Sequence, residues 1–196
     1  MLISKYEYPT LRRETQTNGK RQYVGDDSIP VPSVTTVLSE TGDKTALINW
    51  RKRVGDEEWD TFGNNHVSVL AKTMTTMMVE NGLTKIDELW GVEVALIAKG
   101  LYAGTSDAIG VYEGEDAIID FKTSKKIKKR EWIEDYFMQG CAYALAHNEM
   151  MGTEIRKVVI LMVDREGKFA EFTIKGEEFD EYCDKWAQRL ADYFNK

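Results

Sequence analysis

The chain has 196 residues, of which 42% are apolar and 30% charged, which is the composition of one soluble globular domain. Its two cysteines, Cys141 and Cys183, exclude a disulfide framework and any four-cysteine zinc or iron–sulfur site built from this chain alone. The net charge of −7 excludes a protein that coats nucleic acid through a uniformly basic surface.

The first 82 residues are predicted to form an arm followed by helices. All three prolines lie within the first 32 residues, where turn sequences such as Asn18-Gly19 indicate a hairpin or an extended arm. Helical spacing begins after Ser33, and a longer helix is predicted from about residue 56 to residue 80. Its apolar stripe is expected to pack in the core. The stripe consists of Val67, Leu70, Met74, Met77 and Met78.

Residues 83–196 are predicted to form an α/β core, because the apolar period changes from helical to alternating after Gly82. The predicted strands span residues 92–98, 101–111, 117–123, 158–164 and 169–175, and the predicted helices span 132–147 and 177–194. We expect His147, at the end of the first of these helices, to complement the helix dipole as an imidazolium. Residues 1–196 are interpreted as one domain.

The second and third predicted strands carry the most informative residues. If a turn at Glu113-Gly114 joins them as a hairpin, Asp107 lies directly opposite Asp120, and Lys122 shares the face of Asp120. Opposed carboxylates repel each other unless a cation lies between them, and an all-oxygen ligand set favours magnesium or manganese over zinc. The alternative is a surface hairpin with scattered charges.

A basic segment follows the third of these strands. Lys122–Arg130 holds six of the 26 basic residues and no acidic residue. From its charge alone it is either an anion-binding element or a solvated loop. Trp132, beside it, could stack on a nucleic-acid base, although packing in the core is the more common role of a tryptophan.

These motifs resemble those of the PD-(D/E)XK nuclease superfamily. The resemblance spans roughly residues 22 to 147 and is strongest to the RecB-like branch, which includes phage-type exonucleases and the mitochondrial genome maintenance exonuclease. It rests on Gly104-x-x-Asp107, Asp120-Phe121-Lys122, Gln139-x-x-x-Tyr143, Pro32–Leu38 and His66. The resemblance implies a restriction-endonuclease-like α/β core, with a central mixed sheet flanked by helices and a helical N-terminal elaboration over residues 1–82.

The resemblance also implies roles for individual residues. The catalytic residues would be Asp107, Asp120 and Lys122. One or two Mg²⁺ or Mn²⁺ ions would be held by His66, Asp107, Asp120 and the Phe121 carbonyl. Glu93, Gln139 and Tyr143 would line the site. From charge, the residues expected to bind DNA phosphates are Lys125, Lys126, Lys128, Lys129 and Arg130.

The function expected from these features is that of a metal-dependent DNA exonuclease in phage DNA recombination, repair or degradation, acting on DNA with a free end or a single strand. The alternatives are an endonuclease or flap-type nuclease of the same superfamily, and a recombination or packaging component that binds DNA without cleaving it. A single-strand-binding or recombination protein could be its partner. No apolar run approaches the roughly 18 residues of a membrane helix, so we expect no membrane association and a cytoplasmic location, in the host cell if the protein is phage-encoded.

Overall fold

The computed structural model describes residues 5–16, 21–25, 29–42 and 67–196. The strands are β1 (Arg12–Thr15), β2 (Arg21–Val24), β3 (Pro30–Pro32), β4 (Ile86–Ala98), β5 (Tyr102–Tyr112), β6 (Glu115–Ser124), β7 (Lys157–Asp164) and β8 (Phe169–Lys175). The α-helices are α1 (Val34–Thr41), α2 (Val67–Asn81), α3 (Glu134–Met151) and α4 (Glu177–Phe194). Among the residues described, no helix is long and apolar enough to cross a bilayer.

The central sheet has five strands in the order β4-β5-β6-β7-β8. The pair β6–β7 is parallel and the other three pairs are antiparallel, so the sheet is mixed. All eight residues of β7 are buried, because β7 is an inner strand that is covered on both faces. One face packs on α3, and the other packs against Met78 of α2. The predicted α/β fold with a central mixed sheet flanked by helices is confirmed.

Helix α3 lies very close to the sheet, because a glycine faces β7 at the contact. A Cβ atom on Gly140 would lie 2.2 Å from Cγ1 of Val158, which is far inside van der Waals contact. The helix ends at Met151 and is followed by Gly152, whose φ of 66° is the left-handed conformation common after a helix C-terminus. This close packing fixes the side chains that α3 presents to β5 and β6.

The N-terminal arm forms a second, antiparallel sheet in the order β1-β2-β3, in line with the predicted hairpin or extended arm. Ser33 caps α1, since its hydroxyl accepts a hydrogen bond of 3.0 Å from the Thr36 backbone N–H. Helix α2 covers the C-terminal part of the helix predicted over residues 56–80, and Leu70, Met74 and Met77 along it are half-buried. The predicted start of that helix lies outside the described residues.

Strand β4 is longer than the sequence predicts, since it begins at Ile86 rather than at residue 92. Its pairing with β5 shifts register between Ile86 and Glu88 and again between Leu89 and Gly91. Each bulge reverses the alternation of inward and outward side chains, so the first half of β4 lacks the period of two by which a strand is recognised in sequence.

The prediction that His147 is charged is wrong. The imidazole is fully buried among Tyr6, Tyr8 and Trp90, with its ring centroid 5.1 Å from that of Tyr6. Its Nε2 lies 3.2 Å from the Tyr8 hydroxyl and its Nδ1 lies 2.8 Å from the Thr153 hydroxyl. Burial, with a smaller contribution from Lys5, lowers the pKa of His147 to about 4, so the ring is neutral at physiological pH.

Candidate functional site

The hairpin of β5 and β6 has the predicted register. Glu113 and Gly114 form its two-residue turn with φ angles of 49° and 77°, which matches the right-handed twist of the flanking strands. The ladder runs from Tyr112 opposite Glu115 to Ala108 opposite Ile119. The next position along each strand is occupied by Asp107 and by Asp120. There the Asp107 carboxylate Oδ2 accepts a hydrogen bond of 2.9 Å from the Phe121 backbone N–H.

Residues of β6 alternate between the two layers as predicted. Ile118 packs with α3 in one apolar cluster, whereas Ile119 and Phe121 belong to the cluster that contains Met78 of α2. Asp120 and Lys122 have the same parity as Ile118, and Lys122 accordingly reaches side chains of α3. The carboxylate of Asp120 and the ammonium of Lys122 therefore lie between the sheet and α3.

Asp120 is the most deeply buried carboxylate of the candidate site, at 3% exposure. Its Oδ1 accepts a hydrogen bond of 2.7 Å from Lys122 Nζ. Its Oδ2 lies 2.6 Å from the same Nζ as an ion pair but has no hydrogen bond of acceptable geometry. Burial raises the pKa of Asp120 to about 6 against the lowering effect of Lys122, and the charge of nearby Asp107 adds to the rise.

A chain of polar contacts extends from Asp120 to α3. Lys122 Nζ also lies 3.4 Å from Oε1 of Gln139, and Nε2 of Gln139 donates a hydrogen bond of 3.0 Å to the Tyr143 hydroxyl. The sequence predicts Gln139 and Tyr143 as site-lining residues, and in the structure Gln139 contacts Lys122 directly whereas Tyr143 contacts Gln139. Because Gln139 gives its N–H to Tyr143, its carbonyl oxygen is directed to the lysine.

Gly104 of β5 makes room for Tyr143. A Cβ atom at position 104 would lie 2.6 Å from Cε1 and 3.0 Å from the hydroxyl oxygen of the tyrosine. The Tyr143 side chain is 3% exposed, and burial raises the pKa of its hydroxyl. The glycine of the Gly104-x-x-Asp107 motif thus sets the position of the ring that holds Gln139.

Glu93 occupies a strained position on β4. Val92 lies opposite Ala108 and Val94 lies opposite Ser106, so Glu93 is level with Asp107. Its φ of 51° is a left-handed conformation that costs about 1–2 kcal/mol for a residue with a side chain, and its side chain is exposed. Such strain is found most often near functional sites, which is consistent with the predicted place of Glu93 beside the site.

The metal ligands predicted from the sequence are brought together only in part. Asp107 and Asp120 are adjacent, whereas His66 lies outside the described residues. Within those residues, no group of three or more histidine, cysteine, aspartate or glutamate side chains is arranged to hold a metal ion. The two carboxylates, one with a buried oxygen that lacks a hydrogen bond, are nevertheless hard oxygen donors that fit Mg²⁺ or Mn²⁺. The Phe121 carbonyl as a ligand stays a prediction.

The basic segment connects β6 to α3, and its residues have different environments. Arg130 donates hydrogen bonds to the Thr173 carbonyl at 3.0 Å and to Glu178 at 2.6 Å, so it anchors the segment to β8 and α4. Lys126 and Lys129 form long ion pairs with acidic neighbours, at 3.7 and 3.9 Å, and are largely exposed. Such surface pairs contribute little stability, so both ammonium groups stay accessible to an anion. Lys125 is exposed as well.

Tyr136 is a residue of this site that the sequence analysis missed. Its hydroxyl accepts a hydrogen bond of 2.5 Å from Lys128 Nζ, and its ring centroid lies 4.9 Å from Lys122 Nζ. The signal was present in the sequence, because Tyr136, Gln139 and Tyr143 are spaced as one face of a helix.

The expected core position of Trp132, in contrast, is wrong, since its side chain is 66% exposed.

Comparisons with known proteins bear on the family. No protein-family model matches the chain. Over 123 residues, 60% of this chain, it is 29% identical to mitochondrial genome maintenance exonuclease 1 of Mus musculus. The matched region covers 36% of the mouse protein, so the chain spans little more than a third of that relative. The similarity supports a nuclease family without distinguishing the RecB-like branch.

Solved structures give more distant matches. A protein from Eubacterium rectale, provisionally described as an exonuclease, has a TM-score of 0.48 and 13% identity, covering 81% of this chain and 64% of that one. A second solved structure, whose name states no activity, has a TM-score of 0.44 and 16% identity, covering 85% of this chain and 77% of that one.

Proposed function

We propose that the protein is a metal-dependent deoxyribonuclease of the PD-(D/E)XK type, an exonuclease that hydrolyses phosphodiester bonds at DNA ends. The observation that carries the proposal is the buried pair of Asp120 and Lys122 beside Asp107. A carboxylate at 3% exposure is costly to keep charged, even beside an ammonium, and groups of this kind concentrate at functional sites. The similarity to a mitochondrial exonuclease supports the same class of enzyme.

Asp107 and Asp120 would hold Mg²⁺ or Mn²⁺, one or two ions, with the Phe121 carbonyl and His66 as further ligands. A bound ion of this kind neutralises phosphate charge and lowers the pKa of coordinated water. The Phe121 N–H donates to Oδ2 of Asp107, so this hydrogen bond orients the carboxylate that would hold the ion. Asp120 offers Oδ2, which lies 2.6 Å from Lys122 Nζ as an ion pair but accepts no hydrogen bond.

Lys122 would act on the phosphate or on the attacking water. Its ammonium lies within 2.7 Å of Asp120, so it can place a positive charge where negative charge develops during hydrolysis. Gln139 and Tyr143 are positioning residues in this scheme, since their hydrogen bond directs the Gln139 carbonyl oxygen to Lys122. The exposed lysines of the basic segment would bind backbone phosphates without reading sequence. A role in phage recombination, repair or degradation is the cellular context that we propose.

An assay on two forms of DNA tests the function. We expect Mg²⁺-dependent release of label from linear end-labelled DNA and no nicking of covalently closed circles. Lys122→Ala should abolish cleavage and change DNA affinity by no more than a few-fold, because one ammonium among six local cations supplies little of the binding. Lys175→Ala, which removes an exposed lysine paired with Glu115, is the matched control and should cleave normally.

Other results of this assay separate the alternatives. Cleavage of closed circles would identify an endonuclease, and DNA binding without cleavage by the wild type would identify a recombination component. Near-normal cleavage by Lys122→Ala would contradict the role of Lys122 as the catalytic lysine and, with it, the PD-(D/E)XK assignment.

Calorimetry tests the metal site without relying on activity. Titration of Mg²⁺ or Mn²⁺ into wild type should give a binding isotherm that the double variant Asp107→Asn/Asp120→Asn loses. Metal should also raise the melting temperature of the wild type, because it relieves the repulsion between the two carboxylates. Equal metal binding by both proteins would refute the ligand assignment.

A further inference from the structure

Trp132 differs from the other tryptophans that the structure describes. Its side chain is 66% exposed, whereas Trp90 and Trp186 are 2% and 1% exposed. Single exposed apolar residues are common on protein surfaces, so exposure alone does not indicate a site. The surroundings of Trp132 provide the further evidence.

The backbone beneath Trp132 is held in place. Trp132 lies at the end of the 3-10 helix Arg130–Trp132, and its N–H donates a hydrogen bond of 3.0 Å to the Lys129 carbonyl. Arg130 bonds to Thr173 and Glu178, and Ile133 is fully buried. An aromatic ring on an anchored backbone loses little conformational freedom when it binds a ligand, which favours binding.

The charge around Trp132 matches a nucleic-acid backbone. Lys129 Nζ lies 5.5 Å from the centroid of its ring. The neighbouring Lys128 Nζ lies 4.8 Å from the centroid of the Tyr136 ring, and Lys122 Nζ lies 4.9 Å from the same centroid. Lys122 and Lys128 thus lie beside one aromatic ring and Lys129, the next residue in the chain, lies beside the indole, on a protein whose net charge is −7.

We propose that Trp132 is a stacking site for an unpaired DNA base, on a strand whose phosphates follow Lys129 and Lys128 towards Lys122. The inference rests on the nuclease function proposed above and adds an interaction with the bases. An aromatic ring accepts any base, because every base has a π-face, and stacking therefore adds affinity without sequence preference. Bases within a duplex are already stacked on their neighbours, so Trp132 favours a single strand or an unpaired end.

Equilibrium binding measured in EDTA tests the proposal independently of cleavage. The probes are a labelled single-stranded oligonucleotide and the same backbone with abasic positions. Trp132→Ala should weaken binding to the normal strand at least about fivefold, and Trp132→Phe should retain most of the affinity. On the abasic strand, wild type and Trp132→Ala should bind alike. Phe194→Ala is the matched control, since it also removes an exposed aromatic residue, at 54% exposure. Phe194 is remote from the basic segment, because it lies about 24 Å further along α4 than Glu178.

The salt dependence separates stacking from charge. Trp132→Ala should leave the slope of log K against log salt unchanged, because the indole carries no charge that could bind a phosphate. A variant that binds the normal strand as well as wild type, or that is weakened equally on the abasic strand, would overturn the stacking site alone. A wild type that binds neither strand would overturn the proposed function as well. If the melting curve shows that Trp132→Ala is unfolded, Trp132→Leu takes its place. The affinities of wild type for the normal and the abasic strand are then compared as well.

Discussion

Removing the charge of Lys122 is predicted to destabilise the fold more than removing the charge of its partner Asp120. Lys122→Met keeps most of the side-chain length but leaves the carboxylate of Asp120, at 3% exposure, without its cation. Breaking a buried pair in this way costs about 3–5 kcal/mol, and uptake of a proton by Asp120 keeps the cost near the lower value. Asp120→Asn instead leaves a lysine whose side chain is 21% exposed and can reach water, so its cost should be within about 1 kcal/mol of zero.

Urea unfolding of the metal-free protein in EDTA measures these differences. The double variant Asp120→Asn/Lys122→Met should be about as stable as Asp120→Asn, which corresponds to a coupling energy of about 3 kcal/mol. For a chain of 196 residues, Lys122→Met alone should lower the melting temperature by about 6–12 °C.

An exposed ion pair provides the matched control. Lys175 lies 2.7 Å from Glu115, with side chains 58% and 46% exposed. The cycle of Lys175→Met with Glu115→Gln should give a coupling energy below about 1 kcal/mol, because solvent screens the pair. Equal costs for Lys122→Met and Asp120→Asn, or equal coupling energies at the two pairs, would refute the reasoning from burial.

Three further predictions concern other parts of the chain. Gly104→Ala should destabilise the fold by about 1–3 kcal/mol in urea unfolding, because its Cβ would lie 2.6 Å from Tyr143. In a Tyr143→Leu background the same substitution should cost less. An equal cost in both backgrounds would contradict the clash with Tyr143. Burial lowers the pKa of His147 from 6.5 to about 4, so between these pH values the unfolded chain binds a proton that the folded chain does not. As the pH falls from about 6.5 to 4, wild type should therefore lose up to about 3 kcal/mol of unfolding free energy relative to His147→Gln. Parallel pH profiles of the two proteins would exclude this. Gln substitutions at Lys128 and Lys129 should weaken DNA binding for all sequences and reduce the log–log salt slope by about 0.7–0.9 for each phosphate that the variant no longer neutralises, whereas an unchanged slope would mean a solvated loop.

The sequence alone determined the features that depend on neighbouring residues. The turn at Glu113-Gly114 is local, and it fixes which residues of β5 and β6 lie opposite each other, so the positions of Asp107 and Asp120 could be predicted. Strand alternation in the same way placed Lys122 on the face of Asp120. The spacing of Gln139 and Tyr143 on one helix predicted a hydrogen-bonded pair on one helix face, whereas their place beside the site was implied by the family resemblance.

Only the tertiary structure decided the properties that depend on distant contacts. Arg130 is held by Glu178, which is 48 residues away in sequence, and Trp132, two residues further along this anchored segment, is exposed. His147 is neutral because the N-terminal arm folds over it and excludes water. The burial of Asp120 likewise results from the packing of α3 on the sheet. Desolvation and nonlocal pairing depend on which elements meet, and a periodic pattern in sequence carries no information about that.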